Sequence, residues 1–286
     1  MVPYFPQPAI QLFGGITFHA FEALIALAVI VGWMMAVARC RKTALDPAVC
    51  NDLLIYVVLS GFVVAHLYSV LAYYPGEVRQ HPLILLKFWE NISSFGGIVG
   101  GVIGLWIYFR VKGRRIAATD RWRYLDAISY AFPFAWAIGR LGCALAHDHP
   151  GTVTTFPLGV SLATHEARTY IRYFYGAADR LSELPEMEQL GELAFNDLGW
   201  YEFLYTALVI MPLFLVLDRK TRQPGFFLIA FLLLYVPARF LLDFLRLADA
   251  RYAGLTPAQY AGAAVFLASA CFALRRGIFL KGSLQH

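Results

Sequence analysis

The sequence predicts an all-α, polytopic membrane protein with seven transmembrane helices, its N-terminus outside the cell and its C-terminus in the cytoplasm. Three observations predict this class: the apolar composition, the length of the uncharged runs, and the side on which the basic residues fall. Hydrophobic residues make up 59% of the 286 and charged residues 15%, whereas a soluble domain is about half apolar and a quarter charged. A single soluble core of this size cannot bury such an excess, so the composition argues against a soluble enzyme.

Long uncharged runs locate the predicted helices. Residues 91–109 and 255–274 contain no charged side chain, and a hydrocarbon layer about 30 Å thick needs about 20 apolar residues per helix. The runs also lack the period-2 alternation of a membrane β-barrel. The seven predicted spans are residues 20–38, 53–74, 91–109, 125–146, 199–217, 224–243 and 255–274.

Basic residues alternate between successive connections and so predict the topology. Fifteen of the 24 basic residues fall on one side of the seven spans, which the positive-inside rule assigns to the cytoplasm. They are Arg39, Arg41, Lys42, Arg110, Lys112, Arg114, Arg115, Arg121, Arg123, Arg219, Lys220, Arg222, Arg275, Arg276 and Lys281. Topology accounts for these loops, so no nucleic-acid partner is expected.

Two soluble segments, residues 1–18 and 147–198, lie on the predicted outer side of a single domain that covers residues 1–286. The first charged residue is Glu22, so no basic region precedes the first span, and we expect that span to be a retained anchor. Residues 147–198 form a predicted periplasmic insertion with eight acidic residues and three arginines. An acidic outer segment suits a lid or a docking surface, and a solvated loop without chemistry remains the alternative.

Ionisable residues inside the predicted spans are the candidate functional residues, because each costs about 2.5–3.5 kcal/mol to insert. Arg140 lies in the outer half of the fourth span, Glu202 at the outer start of the fifth, and Arg239 and Asp243 four residues apart in the sixth. One interpretation is an ion-pair network, Arg140–Glu202 with Arg239–Asp243, that only holds the bundle together. The other is a polar cavity open to the outer leaflet, where guanidinium groups bind a phospholipid headgroup. Ion transport is a competing reading, but no duplicated halves support it.

Glycines accompany these charges and leave two interpretations open. Gly96 and Gly97 begin a series of small residues spaced four apart in the third span, which predicts close packing of two helices or access for a lipid headgroup. Gly139 and Gly142 flank Arg140 and would admit a ligand or a neighbouring backbone.

The sequence predicts no metal and no cofactor. The four cysteines show no zinc-binding spacing, and no phosphate-binding Walker loop is present. Cys143 is interpreted as a packing residue beside Arg140. His147, Asp148 and His149 could suggest a metal, but two histidines at i, i+2 need a further ligand that the sequence does not identify.

Five segments resemble, in sequence and in order, the motifs of the prolipoprotein diacylglyceryl transferase family. Residues 95–100, Phe-Gly-Gly-Ile-Val-Gly, are similar to the family's His-Gly-Gly-Leu-x-Gly. Residues 126–142 are similar to its Asp…Pro-Phe-Gly…Gly-Arg-x-Gly, and residues 198–202, Leu-Gly-Trp-Tyr-Glu, to its Gln-Leu-Tyr-Glu. Residues 239–246 resemble its Arg-Phe-x-x-Glu-x-x-Arg, and residues 254–259 its Gly-Leu-Thr-x-Gln. The resemblance covers nearly the whole chain and implies the family's fold, in a bacterial inner membrane.

The resemblance also implies a reaction and a set of site residues. The family moves a diacylglyceryl group from phosphatidylglycerol to the lipobox cysteine of a prolipoprotein signal peptide, at the periplasmic leaflet. By this resemblance Arg140 and Arg239 stabilise the phosphate leaving group and Glu202 and Asp243 orient them. The substrate-binding residues would be Gly96, Gly97, Gly139, Gly142, Tyr201, Asp243, Arg246 and His19.

The general base is left open by the sequence. Phe95 stands where the family motif has His, and a phenyl ring accepts no proton. The candidates are His147, His149 and Asp148, just after the Arg140 motif, and His19 at the outer end of the first span. Two alternatives therefore accompany the transferase hypothesis. One is a relative that uses another phospholipid or nucleophile, and the other is a non-catalytic lipid- or lipoprotein-binding protein.

Overall fold

The computed structural model describes residues 1–11, 17–87, 92–247 and 251–279, and most of them are helical. Six helices of this part are long and apolar enough to cross a membrane: Ala20–Lys42, Pro47–Leu71, Ala118–Ala146, Leu198–Leu217, Phe226–Leu245 and Pro257–Arg276. A shorter apolar helix, Gly96–Val111, corresponds to the third predicted span, whose first residue lies outside the described ranges. The helical, multi-pass class is therefore confirmed, while a seventh span and its sidedness stay predictions.

The chain forms two compact units, Trp33–Ala127 and Met1–Gly32 with Ile128–His286. In the first unit, α2 (Pro47–Tyr73) packs on α4 (Ser94–Val111). A Cβ at Gly100 would lie 2.4 Å from Ser60 O, and one at Gly96 2.8 Å from Tyr68 Cβ. The glycine series therefore allows the close helix packing that the sequence predicts. A Cβ at Gly97 would come no nearer than 3.8 Å to Ala65 Cβ, so packing does not require that glycine.

The second unit contains the remaining long helices: the N-terminal part of α1 (Ala20–Lys42), most of α5 (Ala118–Ala146), α10 (Phe226–Leu242) and α11 (Pro257–Arg276). Between α5 and α10, one span consists of α8 (Leu198–Tyr205), a π-helical turn (Thr206–Ile210) and α9 (Met211–Leu217). A capping box of Thr256 and Gln259 begins α11, and Gln259 Nε2 donates to Phe240 O of α10 at 3.0 Å.

Residues 147–198 of the second unit form a small α/β subdomain. Its strands are β3 (Pro150–Thr154), β4 (Val160–Ser161) and β5 (Ala194–Asp197), antiparallel in the order β3-β5-β4. The helices α6 (His165–Ala177) and α7 (Met187–Leu190) lie between β4 and β5. Val2 pairs with Val160, so the N-terminal segment covers the outer edge of the sheet. The subdomain of residues 147–198 has its own core around Ile171, Leu190 and Phe195. Its periplasmic location stays a prediction.

The other described elements are short. Strands β1 (Ala9–Gln11) and β2 (Thr17–His19) form an antiparallel ribbon directly before α1. Helix α3 (Pro75–Gln80) follows α2, and single 3₁₀ turns occur at Pro82–Leu86, Gly113–Arg115, Leu181–Glu183 and Asp243–Leu245.

Candidate active site

Two aromatic side chains bring the intramembrane arginines together. Trp136 precedes Arg140 by four residues in α5, and Tyr235 precedes Arg239 by four residues in α10, so each pair shares a helix face. The Trp136 and Tyr235 rings pack edge to face with centroids 5.7 Å apart. Arg140 Cζ lies 4.5 Å from the centroid of the Trp136 ring, a cation–π contact. This aromatic contact between α5 and α10 therefore places the helix turns that carry Arg140 and Arg239 next to each other.

Both arginines bind the same carboxylate, that of Glu202. Arg140 Nε lies 2.8 Å from Oε2, and Arg239 Nη1 donates to Oε1. The Tyr235 hydroxyl donates to Oε2 at 2.5 Å. The structure confirms the predicted Arg140–Glu202 pair and adds a contact that the sequence did not predict, between Arg239 and Glu202.

A close helix contact holds Glu202 in this position. A Cβ at Gly199 would lie 2.9 Å from Cys143 Cβ and 3.0 Å from Ala144 N, so only glycine lets α8 approach the last turn of α5 this closely. Asp197 caps α8, since its Oδ1 accepts from Trp200 N at 3.0 Å. Glu202 follows one turn after the cap and faces Arg140.

Asp243 and Arg246 complete the charged cluster. Arg239 Nη2 lies 2.9 Å from Asp243 Oδ1, as predicted, and Arg246 Nη1 lies 3.9 Å from the same oxygen. The three arginines and two carboxylates carry one excess positive charge. The Arg140 side chain is 5% exposed, whereas those of Arg239 and Arg246 are 20% and 24% exposed. Arg239 and Arg246 therefore have surface that a ligand could contact, whereas Arg140 is enclosed by the protein.

His147 is buried outside the arginine cluster, where several elements of the second unit meet. Its Nδ1 lies 2.6 Å from Asp197 Oδ2, and its ring stacks on Tyr4 with centroids 5.1 Å apart. The residue directly follows α5 and has a φ of 51°, in the left-handed region. Its carbonyl accepts from the Tyr170 hydroxyl, and burial raises the pKa of Tyr170 so that this hydroxyl stays protonated. These contacts give His147 a structural role that links α5, α8 and the N-terminal segment.

His149 and Asp148, in contrast, lie beside the arginines. His149 Nδ1 and Asp148 Oδ1 are hydrogen-bonded to each other. One donor atom from each of Cys143, Asp148 and His149 lies within 4.8 Å of the other two. Cys143 Sγ in turn lies 3.6 Å from Arg140 Nη1. Of the predicted base candidates, His149 and Asp148 are thus the pair next to the charged cluster.

A cavity of about 500 Å³ is lined in part by sequence neighbours of two residues of the charged cluster. Tyr201 and Leu242, the chain neighbours of Glu202 and Asp243, form part of its wall, and the Tyr201 hydroxyl donates to Asn196 Oδ1 at 3.0 Å. Its lining residues are Thr154, Phe156, Leu158, Asn196, Tyr201, Leu204, Leu242 and Leu245. Apolar side chains dominate this list, so the cavity suits an apolar group more than a charged one.

A family model described as prolipoprotein diacylglyceryl transferase matches residues 7–275. The chain belongs to this family. Curated relatives named phosphatidylglycerol–prolipoprotein diacylglyceryl transferase align over most of it. The relative from Leifsonia xyli subsp. xyli is 28% identical, covering 83% of this chain and 67% of its own length. Those from Tolumonas auensis and Chromobacterium violaceum are 26% and 28% identical, covering 86% and 87% of this chain and 85% and 86% of their own lengths.

Family membership confirms the resemblance found in the sequence, and with the six apolar helices it indicates a multi-pass bacterial membrane protein. This family member carries its glycine motif, with Phe95 in place of the motif's His, at the start of α4 in the Trp33–Ala127 unit. The binding roles predicted for Gly96 and Gly97 stay predictions.

Three further predicted residues are placed by the structure of this transferase-family chain. Gly142 and Gly139 face α1, since a Cβ at each would meet Phe21 at 3.3 Å and Ile25 at 3.6 Å. A neighbouring helix is therefore what these two glycines admit. His19 ends β2 directly before α1, and a role for it in catalysis stays a prediction.

Four residues of this family member's site were not selected from the sequence: Trp136, Tyr235, Asp197 and Gly199. A local signal existed for the two aromatics, because each lies four residues before an intramembrane arginine. Asp197 and Gly199 gave no comparable signal, since their partners His147 and Cys143 are about 50 residues away in the chain.

Proposed function

We propose that this protein is an inner-membrane enzyme that moves a diacylglyceryl group from phosphatidylglycerol to the lipobox cysteine thiol of a prolipoprotein. In this proposal seven helices cross the membrane and the site faces the periplasmic leaflet. The observation that carries the proposal is the shared carboxylate of Glu202, which holds Arg140 and Arg239 together while Arg239 stays partly exposed. The names of the curated relatives support this donor and acceptor.

The arginine cluster is suited to the phosphate of the donor lipid. A guanidinium group offers planar, paired N–H donors that match phosphate oxygens. Glu202 and Asp243 fix the rotamers of the arginines before the lipid binds, which lowers the entropic cost of binding. The one excess positive charge of the cluster favours an anion, and Arg239 and Arg246 are the members with exposed surface.

The transfer step forms one bond and breaks one. The thiolate sulfur of the acceptor attacks the terminal glycerol carbon of the diacylglyceryl group, and a carbon–sulfur bond forms. The carbon–oxygen bond to phosphate breaks, and glycerol phosphate leaves with the electron pair. Negative charge grows on the bridging oxygen in the transition state, where Arg140 and Arg239 stabilise it.

We assign His149 as the base that takes the thiol proton, with Asp148 as the residue that orients it. A histidine ring has the unperturbed pKa suited to this task. His149 lies near Cys143, which contacts Arg140, so a proton acceptor and a leaving-group stabiliser are adjacent. The buried His147 is engaged by Asp197, and a structural role accounts for it.

Purified protein in vesicles, phosphatidylglycerol and a lipobox peptide test the proposal. A diacylglyceryl mass gain on the peptide and release of glycerol phosphate are expected. A peptide with Ser in place of the acceptor Cys is the control and should gain no mass. A folded protein that modifies no lipobox peptide would contradict the proposal.

A second candidate function is transfer that uses another phospholipid or nucleophile, and Phe95 at the motif's histidine position favours it. The test is complementation of cells that lack their own transferase. Restored lipoprotein modification would refute this candidate and support the first. Bound phospholipid that is never cleaved, with any donor and acceptor, would instead indicate a non-catalytic lipid-binding protein.

A further inference from the structure

We propose that Cys143, Asp148 and His149 form a binding site for a transition-metal ion such as zinc. Their three donor atoms lie within 4.8 Å of one another. The ligands of one tetrahedral ion lie about 3.3–3.8 Å apart, because zinc bonds to sulfur, nitrogen and oxygen are about 2.0–2.3 Å long, so a side-chain movement of about 1 Å brings the three donors onto one ion. The sequence offers His149 and Asp148 at adjacent positions, and the fold supplies the missing third donor from the end of α5.

The chemistry of the three donors selects the class of ion. A thiolate and an imidazole favour zinc or cobalt over magnesium and calcium, which prefer oxygen ligands. Cys143 is buried, whereas the side chains of Asp148 and His149 are 35% and 16% exposed. The site is therefore anchored in the protein and open on one side, so that water or a ligand can take the fourth position.

The local charges are compatible with a divalent cation. On binding, the Cys143 thiol releases its proton to solvent and a sulfur–metal bond forms. The thiolate and the Asp148 carboxylate then neutralise the two positive charges of the ion. Arg140 Nη1, 3.6 Å from Sγ, donates toward the sulfur and supports its anionic form. The ion also replaces the hydrogen bond between His149 and Asp148.

The consequence for turnover rests on the function proposed above. If His149 takes the proton of the acceptor thiol, an ion bound to this histidine and Asp148 removes the base. The metal-free protein is then the active form, and zinc is a reversible inhibitor that acts at the transfer site itself.

Cobalt binding tests the site independently of any catalytic activity. The full-length protein in detergent, with Cys40, Cys50 and Cys271 replaced by Ala, keeps Cys143 as its single thiol. Titration with Co²⁺ is expected to give one ion per chain, a thiolate-to-cobalt charge-transfer absorption in the near ultraviolet, and the intense visible bands of a tetrahedral site.

Three variants in that background, each checked for folding by thermal unfolding, assign the ligands. Cys143→Ser should abolish the charge-transfer band, and Asp148→Asn and His149→Gln should each weaken binding at least roughly tenfold. Asp148 is exposed, so its replacement keeps the test valid if the buried Cys143→Ser variant fails to fold. Arg172→Gln, an exposed change on α6, is the matched control and should bind cobalt normally. No cobalt band, or a band that survives the three ligand variants, overturns the proposal.

Inhibition provides the second measurement. Zinc should stop transfer by the single-thiol protein, a chelator should restore it, and Arg172→Gln should show the same inhibition. A cobalt band without transferase activity in the metal-free protein refutes the proposed function and leaves the metal site intact. Transferase activity without a cobalt band refutes the metal site alone.

Discussion

At the scale of single residues, Glu202 is the group on which the site depends. It is buried, and it accepts from Tyr235 and pairs with Arg140 and Arg239. Removal of one partner from a buried ion pair costs about 3–5 kcal/mol, because the remaining charge is uncompensated. Arg140 is buried in contact with Glu202 and Trp136, whereas the Arg239 side chain has exposed surface that a ligand could contact. Substitutions at the two arginines should therefore differ in their effects on stability and on transfer.

Arg239→Lys should lower transfer roughly 10- to 150-fold with a small effect on folding. Lysine keeps the charge but loses the paired N–H donors, and a hydrogen bond to a charged group contributes about 1.5–3 kcal/mol. Rates of peptide modification in vesicles measure the effect, with Arg172→Lys on the exposed face of α6 as the control. A near-normal rate in Arg239→Lys would rule out a phosphate-binding role for that guanidinium.

Arg140→Lys should reduce both stability and transfer. The ammonium group loses the stack on Trp136 and the contact to Cys143, and burial leaves it without water as a substitute partner. A loss of about 1.5–3 kcal/mol in unfolding free energy is expected, as for the loss of a buried hydrogen bond to a charged group. Denaturant titration in detergent measures it. A variant as stable as the parent protein would show that Arg140 contributes to the phosphate contact alone.

Tyr235→Phe should destabilise the protein by about 1.5–3 kcal/mol, since the lost hydrogen bond is buried and its acceptor is charged. The midpoint of thermal unfolding is the readout. Tyr173→Phe is the matched control, because Tyr173 is 70% exposed. Equal midpoints for the two variants would mean that the Tyr235 hydroxyl does not hold Glu202 in place.

At the scale of helices, the sequence predicted the Arg140–Glu202 contact between α5 and α8 but not the Arg239–Glu202 contact between α10 and α8. Arg239 and Asp243 are four residues apart on one helix, so their pairing follows from helical geometry. The Arg239–Glu202 contact joins α10 to α8 and depends on how these helices pack. That packing depends on the close approach at Gly199 and on the Trp136–Tyr235 contact. At neither position does the sequence show a repeat that would identify the partner residue.

Gly199→Ala should separate α8 from α5 and weaken the Arg140–Glu202 pair. The added methyl would meet Cys143 Cβ and the Ala144 backbone near 3 Å, so the helices must shift. We expect a loss of about 1–3 kcal/mol in stability, as for overpacked sites, and lower transfer. Gly176→Ala in α6 is the control, because its methyl would meet Leu181 no closer than 3.6 Å. Normal stability and transfer in Gly199→Ala would show that the close approach is not needed.

At the scale of the whole molecule, hydropathy predicted the membrane spans but not the fold of residues 147–198. An apolar run of about 20 residues has few alternatives in a membrane, and six of the predicted spans are helices of suitable length and hydropathy. The subdomain has strands of two to five residues, too short to show a period. The folded structure of the subdomain also depends on contacts with the N-terminal segment, since Val2 pairs with Val160 and Tyr4 stacks on His147.

The topology makes a prediction about three exposed positions, one in each of three successive connections: Leu83, Arg114 and Tyr173. If α4 and α5 both cross the membrane, positions 83 and 173 lie outside and position 114 lies in the cytoplasm, as the basic residues predict. A cysteine is introduced at one of these positions at a time, in a chain that carries Cys271→Ala and keeps the buried Cys40, Cys50 and Cys143. Each variant is tested in intact spheroplasts with a membrane-impermeant maleimide. Leu83→Cys and Tyr173→Cys should be labelled, and Arg114→Cys only after permeabilisation. Labelling of positions 83 and 114 from the same side would mean that α4 does not cross. The chain would then have six spans, and the subdomain would lie on the side opposite to position 83.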